Sequence, residues 1–328
     1  MNDLLSICIP TYNRAKMLGA CLANLISEVR EHEIPIYVSD NASTDNTAEI
    51  VANCRKDYSF IFYSRNKANL VDRNFIVALQ LPKTKFRWLL NDKARLLPGA
   101  LGKLLANLQA NDPDALVVNS SVGGAARGIN KRVKDVAGER VYSEQNEFLA
   151  DLGWHITMLG SVVWSEKLVK AGDFEKYTDT SFIQPGVIMG YIAGKKFSIL
   201  WRDEALFYLA GEELSTWVSI AFEPFARQWY QLIMSLPASY LEEVKYKCIK
   251  DHGLKSRLFT FTGFLVLWGM GNYDLKLYRQ YSRYFPYVTN VPKWLLWALA
   301  AIPAPGPFVR LVKRAVIWAR GWKRNWQD

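Results

Sequence analysis

Short apolar runs alternate with amphipathic stretches through residues 1–100. Each apolar run has the length of a buried strand, and the stretches between them repeat apolar residues at helical spacing. The predicted strands cover residues 4–9, 34–38, 60–63 and 86–90, and the predicted helices cover 15–30, 47–54 and 72–79. Strands that alternate with helices in this way predict an α/β fold with a doubly wound, Rossmann-like, mostly parallel sheet.

Polar loops follow three of these strands. They are Thr11-Tyr12-Asn13, Ser39-Asp40-Asn41 and Asn91-Asp92-Lys93. Ligands of doubly wound sheets bind beyond the carboxyl ends of the strands, so we expect the three loops to converge on one ligand. For each loop taken alone, a turn or a helix cap is the alternative.

Further strands are predicted over residues 115–119 and 160–164, which continues the sheet. Between them, residues 120–136 contain glycines and basic residues. Two interpretations of this segment are open: a loop that covers a ligand, and a surface hairpin.

Four motifs follow one another in the N-terminal part of the chain. They are Ile9-Pro10-Thr11-Tyr12-Asn13-Arg14, Val38-Ser39-Asp40-Asn41-Ala42-Ser43-Thr44-Asp45-Asn46-Thr47, Asn66-Lys67-Ala68-Asn69-Leu70-Val71-Asp72-Arg73-Asn74-Phe75 and Trp88-Leu89-Leu90-Asn91-Asp92. In this order they resemble family 2 glycosyltransferases of the GT-A fold, and most closely the abequosyltransferase-like branch used in bacterial surface polysaccharide synthesis. The resemblance is close over residues 1–120 and looser over 121–194.

The resemblance implies a pocket for a nucleotide diphosphate sugar donor. Thr11 and Tyr12 would line the base, and Asp40 would bond the base or the ribose. Arg73 would face the base or the diphosphate, and Asp92 would take the first carboxylate position of the Asp-x-Asp motif. The complete set of implied donor-binding residues is Pro10, Thr11, Tyr12, Asn13, Arg14, Asp40, Asn41, Asn69, Arg73, Asn91 and Asp92.

The sequence departs from the family pattern in the segment Asn91-Asp92-Lys93-Ala94, where relatives usually have Gly-Asp-Asp-Asp. Three interpretations are open. In a metal-independent transferase, Lys93 acts catalytically, with Arg95 or Arg73, by neutralising the leaving diphosphate. Alternatively, Mg²⁺ or Mn²⁺ binds through Asp92, phosphates and water while Lys93 faces solvent. In the third interpretation a degenerate domain binds a nucleotide or a partner without catalysis.

An inverting transferase also needs a general base for the acceptor hydroxyl. The resemblance implies an acidic residue just before a helix, and Asp179 precedes the helix predicted over residues 183–192. A helix cap is the alternative role for Asp179. Asp173, Glu175 and His155 are the other candidates for the base. His155 and its neighbour Trp154 are predicted acceptor-side residues, because an aromatic ring can stack on a sugar; an ordinary structural histidine is the alternative.

The sequence becomes helical, aromatic and basic from about residue 212, with helices predicted over residues 222–236, 241–251 and 255–270. Residues 293–328 contain seven Lys or Arg, one acidic residue and five of the twelve tryptophans. The apolar stretch 294–302 is too short to span a bilayer. From Pro307 onward the pattern predicts a basic amphipathic helix, which suits an anionic membrane surface. A helix packed on the catalytic domain with a solvated basic face is the alternative.

The net charge of +10 favours an anionic partner. No nucleic-acid-binding motif is present, so nucleic acid is not expected as that partner. The N-terminus lacks a secretory signal pattern, and the four cysteines (Cys8, Cys21, Cys54 and Cys248) form no CxxC pair. These features predict a cytosolic protein with reduced thiols and no zinc site.

Taken together, the sequence predicts a GT-A catalytic domain over residues 1–210 and a helical, membrane-associated region over 211–328. The predicted activity is inverting transfer of a hexose or deoxyhexose from a nucleotide diphosphate sugar to a lipid-linked oligosaccharide, in O-antigen or capsule-type synthesis. The predicted location is peripheral, on the cytoplasmic face of the inner membrane. No cofactor is certain, and Asp92 would be the metal ligand if Mg²⁺ or Mn²⁺ is used. The alternative function is a non-catalytic sugar-nucleotide-binding or scaffold subunit of a polysaccharide assembly complex.

Overall fold

The computed structural model describes residues 2–122, 130–210 and 220–304. The chain divides into two compact units, Met1–Glu212 and Glu213–Asp328. The division falls two residues from the boundary predicted between residues 210 and 211. The four cysteines are unbridged, and Cys8, Cys21 and Cys248 are buried.

The first unit is built on one nine-stranded sheet, in the order β3-β2-β1-β4-β8-β6-β9-β5, with β7 beside β9. The strands are β1 (Leu5–Thr11), β2 (Ile36–Asp40), β3 (Ile61–Arg65), β4 (Phe86–Leu89), β5 (Ala94–Leu96), β6 (Ala115–Ser121), β7 (Glu139–Tyr142), β8 (Val162–Ser165) and β9 (Ile199–Leu209). Strands β1 to β4 are mutually parallel, and β6 is parallel to β9. Only β5, β7 and β8 run antiparallel to their neighbours among the described strands. The predicted mostly parallel α/β fold is confirmed.

Helices cover this sheet. In the first unit they are α1 (Ala15–Val29), α2 (Thr47–Asp57), α3 (Arg73–Gln80), α4 (Ala100–Asn111), α5 (Gln145–Leu152), α6 (Glu166–Ala171) and α7 (Ile183–Ile192). All seven residues of β1 are buried, which is expected of a strand covered on both faces. Leu18, Leu22 and Leu25 of α1 are fully buried in the same core as Leu5 and Ile7 of β1.

Strand β1 continues past Pro10, although the sequence predicted that proline would end it. Pro10 lies opposite Ser39 of β2. It also lies beyond Cys8 and Leu89, the last residue pair between β1 and β4. Since a proline is tolerated where no ladder hydrogen bond is needed from its nitrogen, β1 can carry Thr11 to the carboxyl edge of the sheet.

Strand β8 begins at Val162, two residues later than predicted. Gly160 adopts a positive φ of 102°, and a Cβ there would lie 2.8 Å from the ring of Phe207. Its carbonyl oxygen accepts a hydrogen bond of 2.8 Å from Nε1 of the buried Trp88. Glycine is therefore required at this turn, which precedes β8 and is hydrogen-bonded to Trp88 of the neighbouring strand β4.

The second unit is helical. Its helices are α8 (Trp229–Met234), α9 (Glu242–Lys255), α10 (Phe261–Gly269), α11 (Leu275–Tyr281), α12 (Phe285–Val288) and α13 (Lys293–Ala301). The single helix predicted over residues 222–236 is instead a π-helical segment, Glu223–Gln228, followed by α8. The ring of Phe222 packs against a set of aromatic rings: Phe259, Phe264, Tyr273, Tyr281 and Phe285.

Within the described ranges, no helix has both the length and the hydropathy needed to cross a membrane. The basic amphipathic helix predicted from Pro307 onward lies outside the described residues.

Candidate active site

Asp92 lies at the carboxyl edge of the sheet, three residues after the end of β4, and is almost completely buried. Thr11 donates a hydrogen bond of 3.1 Å from Oγ1 to Oδ2 of Asp92. Arg14 contacts the other carboxylate oxygen, Oδ1, through Nη1 at 3.2 Å. The Arg14 side chain is 40% exposed. The end of β1, the turn after it and the segment after β4 thus meet at one carboxylate.

The electrostatic balance at Asp92 is set mainly by burial, which raises the pKa of this carboxyl. Arg14, the Thr11 hydroxyl and Lys93 act in the opposite direction without fully offsetting it. A buried carboxylate with a raised pKa gains from additional hydrogen-bond donors. The hydroxyl groups of a ribose are donors of this kind, and a carboxylate can accept from two of them.

Asp40 organises the loop after β2. Its Oδ1 accepts a hydrogen bond of 2.8 Å from the Ser43 backbone N–H. Its Oδ2 accepts from the Tyr63 hydroxyl and lies 3.7 Å from Nε of Arg65. Burial and the neighbouring Asp40 carboxylate raise the pKa of Tyr63, which keeps this phenol protonated as the donor. The predicted donor-binding residue Asp40 therefore shapes its own loop.

A cluster of asparagine side chains fixes the neighbouring loop, residues 66–71. Asn41 donates from Nδ2 to Oδ1 of Asn69 at 2.8 Å, and its Oδ1 accepts from the Leu70 backbone N–H at 2.7 Å. Asn66 donates to Oδ1 of Asn74 at 2.9 Å. These bonds hold Asn41 and Asn69, both predicted donor-binding residues, against each other at the end of β2.

The turn after β1 is held by hydrogen bonds to the loop after β2. Asn13 has a positive φ of 50°, and its Oδ1 accepts from the Thr44 backbone N–H at 2.7 Å. The Asp45 side chain accepts from the backbone N–H of Ala15, the first residue of α1, at 2.9 Å. Tyr12 stands in this turn with 43% of its surface exposed. The two loops form one unit that presents Tyr12 to solvent.

The segment after Asp92 offers few metal ligands. Ala94, at the position of the second Asp-x-Asp carboxylate, is fully buried in β5, while Lys93 and Arg95 are partly exposed. Over the described ranges, no group of three or more His, Cys, Asp or Glu side chains is placed to hold a metal ion. With Arg14 on one oxygen of Asp92, the residues present do not fit a protein-built magnesium or manganese site.

An ion pair connects Arg73 to the short segment that contains Asp179. Arg73, the first residue of α3, forms a two-point ion pair with Glu175, at 3.4 and 3.0 Å. Glu175 begins a single 3₁₀ turn, and Asp179 follows it by four residues on the exposed turn before α7. The N-cap residue of α7 is Phe182, so Asp179 does not cap this helix. The Arg73–Glu175 pair thus ties the segment with the candidate base to the start of α3.

A comparison with protein families shows to which family the chain belongs. Residues 6–189, more than half of the chain, match the family described as glycosyl transferase family 2. The chain belongs to glycosyltransferase family 2. The matched region starts in β1, ends within α7, and contains each of the loops described above.

Two curated relatives of this family 2 chain match its N-terminal part. An abequosyltransferase of Salmonella typhimurium is 37% identical over 110 residues, 33% of this chain and 33% of that protein. A GalNAc(5)-diNAcBac-PP-undecaprenol beta-1,3-glucosyltransferase of Campylobacter jejuni is 31% identical over 103 residues, 31% of this chain and 33% of the relative. The chain therefore aligns with about a third of the length of each of these two relatives.

Solved structures share the GT-A fold with this family 2 chain. S. aureus TarS in complex with UDP has a TM-score of 0.61 at 16% identity, covering 98% of this chain and 91% of that one. A mannosyltransferase of Pyrobaculum calidifontis in complex with GDP-Man and Mn²⁺ has a TM-score of 0.53 at 14% identity, covering 99% and 87%. At these identities the likeness shows the fold alone.

His155 and Trp154, the predicted acceptor-side residues, lie in the core of this family 2 chain. His155 is fully buried, and its Nε2 lies 2.9 Å from the Val118 carbonyl oxygen of β6. Its ring packs edge-on between the rings of Trp154 and Trp201. Both side chains are closed to solvent in this arrangement, which argues against direct contact with an acceptor. The same burial removes His155 as a candidate base.

A pH dependence of stability follows from the buried histidine. Burial, with Arg132 nearby, lowers the pKa of His155 from 6.5 to about 3. The unfolded chain therefore binds the proton between these values, and the folded chain does not. We expect this residue to reduce the free energy of unfolding by up to about 1.36 kcal/mol per pH unit as pH falls below 6.5.

Denaturant unfolding from pH 7.5 to 5 tests this expectation. His155→Gln retains an amide that can bond Val118 and should flatten the pH slope relative to the wild type. Equal slopes for the two proteins would show that folding does not lower the pKa of His155.

Two features of this site were missed from the sequence. Tyr63 was predicted only as a strand residue, yet it is a hydrogen-bond partner of Asp40. The Arg14–Asp92 ion pair was also missed, although both residues were predicted to bind donor. In each case the partners are far apart in sequence. The parallel pairing of β2 with β3 brings Asp40 and Tyr63 together, and that of β1 with β4 brings Arg14 and Asp92 together.

Proposed function

We propose that this chain is an inverting glycosyltransferase that moves a hexose or deoxyhexose from a nucleoside diphosphate to a lipid-linked oligosaccharide. The observation that carries the proposal is the meeting of Thr11 and Arg14 at the buried carboxylate of Asp92, within a family 2 sequence. The named relatives transfer abequosyl and glucosyl groups, which supports this class of sugar.

The donor would lie across the carboxyl ends of β1, β2 and β4. Tyr12, which is exposed at this edge, would stack on the base, and Asp40 and Asn41 would bond its polar edge or the ribose. Asp92 would accept hydrogen bonds from the ribose hydroxyls. S. aureus TarS, which shares the fold, forms complexes with UDP and with UDP-GlcNAc, and this supports a nucleotide-sugar donor.

The reaction is a direct displacement at the anomeric carbon. The acceptor hydroxyl oxygen forms a bond to that carbon while the bond to the donor's phosphate oxygen breaks, so the configuration inverts. Asp179 takes the hydroxyl proton, and the electron pair of the broken bond leaves with the nucleoside diphosphate. The exposed turn that holds Asp179 leaves its carboxylate accessible to an acceptor.

The leaving diphosphate gains negative charge, which cations at the site would stabilise. Arg14 and Lys93 flank Asp92 and act on its carboxylate, and Arg14 is partly exposed. Since Ala94 replaces the second carboxylate of the motif, we propose that these cations take the place of a divalent metal. Lys93 is the proposed catalytic cation, with Arg14 and Arg73 contributing.

The acceptor and the location are proposed from chemistry. A lipid-linked glycan is held at a membrane, and the Campylobacter relative is named for an undecaprenol diphosphate acceptor. In the second unit, Trp294 and Trp297 of α13 are exposed by 70% and 54%. Tryptophan side chains favour the membrane interface, and residues 293–328 carry six more basic than acidic side chains (7 − 1). We therefore propose peripheral binding to the cytoplasmic face of the inner membrane.

Donor turnover on vesicles tests the function and the location together. Anionic vesicles carrying a bacterial lipid-linked oligosaccharide are mixed with the chain and with one donor at a time, a UDP-, GDP-, CDP- or dTDP-sugar. We expect one donor to release its nucleoside diphosphate only when acceptor is present, and the chain to sediment with these vesicles more than with neutral ones. Equal sedimentation with both vesicles would contradict the proposed membrane surface.

A non-catalytic donor-binding subunit is the second candidate function. The observation that favours it is the buried Ala94 at the second carboxylate position. This candidate predicts tight nucleoside diphosphate binding with no release from any donor, whether acceptor is present or absent. Slow donor hydrolysis that disappears in Asp92→Ala would rule it out.

A further inference from the structure

Arg132 lies beside the end of β6 on a backbone that is firmly held. Its backbone N–H donates to the Ser120 carbonyl oxygen at 2.9 Å. The next residue, Val133, exchanges two hydrogen bonds with the buried Asn119 side chain, at 2.8 and 3.0 Å. The position of Arg132 is therefore fixed by the strand.

The guanidinium group of Arg132 has no counter-ion among the residues that the structure describes. It lies over the Trp154 ring, 4.9 Å from the centroid, and Nη1 lies 3.7 Å from Sδ of Met158. Its Nε is buried and has no hydrogen-bond acceptor. No carboxylate in the described part of the chain pairs with it, whereas the adjacent Lys131 pairs with Asp203 at 2.9 Å. Burial alone lowers the pKa of Arg132, to about 10, so the group stays charged at neutral pH.

Two other buried polar atoms near Met158 lack hydrogen-bond partners among the described residues. They are Nδ1 of His155 and Oε1 of Gln184. Gln184 donates from its amide nitrogen to the Met158 carbonyl oxygen at 3.1 Å, and Ser120 donates to the Met158 sulfur at 3.3 Å. A half-buried charge without a counter-ion among the described residues, next to buried polar atoms that lack partners there, is costly for the fold. A ligand that pairs with the charge would remove that cost.

The strand register places this group at the same edge of the sheet as Asp92. Val163 of β8 lies opposite both Trp88 of β4 and Leu116 of β6. Asp92 is four residues beyond Trp88, and Ser120, which bonds Arg132, is four residues beyond Leu116. Two strand spacings, about 10 Å, therefore separate β4 from β6 at this level.

We propose that Arg132 binds a phosphoryl group at this edge of the sheet, beside the donor pocket. A guanidinium donates paired hydrogen bonds to phosphate oxygens, and stacking on Trp154 fixes its plane. The phosphoryl group has two sources: the diphosphate of a lipid-linked acceptor and the diphosphate of the donor. The choice between these sources rests on the proposed function, but the phosphoryl site itself does not.

Pyrophosphate binding to Arg132→Gln and Arg132→Lys tests the site without any transfer assay. Calorimetry is run with inorganic pyrophosphate on the whole chain, with Lys131→Gln as the matched control because it removes the adjacent cation. We expect the loss of charge-assisted hydrogen bonds in Arg132→Gln to weaken pyrophosphate binding roughly 10- to 100-fold. The pyrophosphate affinity of Arg132→Lys should lie between those of the wild type and Arg132→Gln. The affinity of Lys131→Gln should match that of the wild type.

Repeating the titration with saturating UDP or GDP distinguishes the two sources. If the nucleotide displaces pyrophosphate, and Arg132→Gln also weakens nucleotide binding, Arg132 holds the donor diphosphate. If pyrophosphate still binds and nucleotide affinity is unchanged, Arg132 holds the acceptor diphosphate. In the second case the KM for the lipid-linked acceptor should also rise in Arg132→Gln.

Thermal unfolding without ligand provides a second readout. Removing a half-buried charge that has no counter-ion among the described residues should leave the Tm of Arg132→Gln equal to or above that of the wild type. A lower Tm with unchanged pyrophosphate affinity would show a purely structural role and overturn the proposal, as would a wild-type chain that does not bind pyrophosphate. Charge-dependent pyrophosphate binding in a chain that transfers no sugar would contradict the proposed function but support the site.

Discussion

Asp179→Asn is expected to lower kcat by roughly 10²- to 10⁴-fold, the usual contribution of a general base. An amide at this position keeps the size of the side chain but cannot accept the proton of the acceptor hydroxyl. Nucleoside diphosphate affinity should stay unchanged, because Asp179 is not proposed to contact the donor. Calorimetry with the nucleotide and steady-state kinetics with the acceptor separate the two effects.

The other acidic candidates in this segment are engaged elsewhere, which makes one of them a matched control. Asp173 accepts a hydrogen bond of 3.2 Å from the Lys176 backbone N–H, and Glu175 pairs with Arg73. Asp173→Asn neutralises a carboxylate in the same exposed segment and should retain most of the activity. If Asp173→Asn loses activity and Asp179→Asn does not, Asp179 is not the base.

Asp92→Asn is expected to lower kcat/KM by roughly 10²- to 10³-fold, from the loss of one or two charge-assisted hydrogen bonds to the donor. The change also removes the carboxylate that holds Arg14 at 3.2 Å. Unlike Asp179→Asn, it should weaken nucleoside diphosphate binding directly. Measuring donor KM and nucleotide affinity in both variants tests this difference.

Stability should change little in Asp92→Asn. Burial raises the pKa of Asp92, so the folded state holds this charge less readily than the unfolded chain does at neutral pH. We expect the free energy of unfolding to stay within about 1 kcal/mol of the wild type. Asp57→Asn, at the exposed end of α2, is a control for loss of a carboxylate elsewhere in the same unit. A large loss of stability in Asp92→Asn would indicate a structural role for the carboxylate.

The strands and helices that position this site were predictable because their apolar periodicity is strong. The continuation of β1 past Pro10 was not, because a proline stops a strand only where its nitrogen must donate. The end of the β1–β4 pairing at Cys8 and Leu89 could not be read from either strand alone. This detail matters for function, since it places Thr11 within 3.1 Å of Asp92.

The environment of His155 was not predictable for a related reason. A histidine beside a tryptophan has the same local pattern in a core and in a sugar-binding cleft. Its burial depends on Val118 of β6 and Trp201 of β9, both distant in sequence. Arg132 was likewise only one of several basic residues in a predicted loop, and its unpaired charge is visible only once Trp154 and Met158 surround it.

The most direct test of the account is donor turnover with lipid-linked acceptor in excess EDTA, repeated with added Mn²⁺. We expect the chain to transfer sugar in EDTA at a rate close to that with Mn²⁺, and Lys93→Ala to lose that activity. Turnover that requires Mn²⁺, with Lys93→Ala unaffected, would contradict the proposal that cations at the Asp92 site replace the metal.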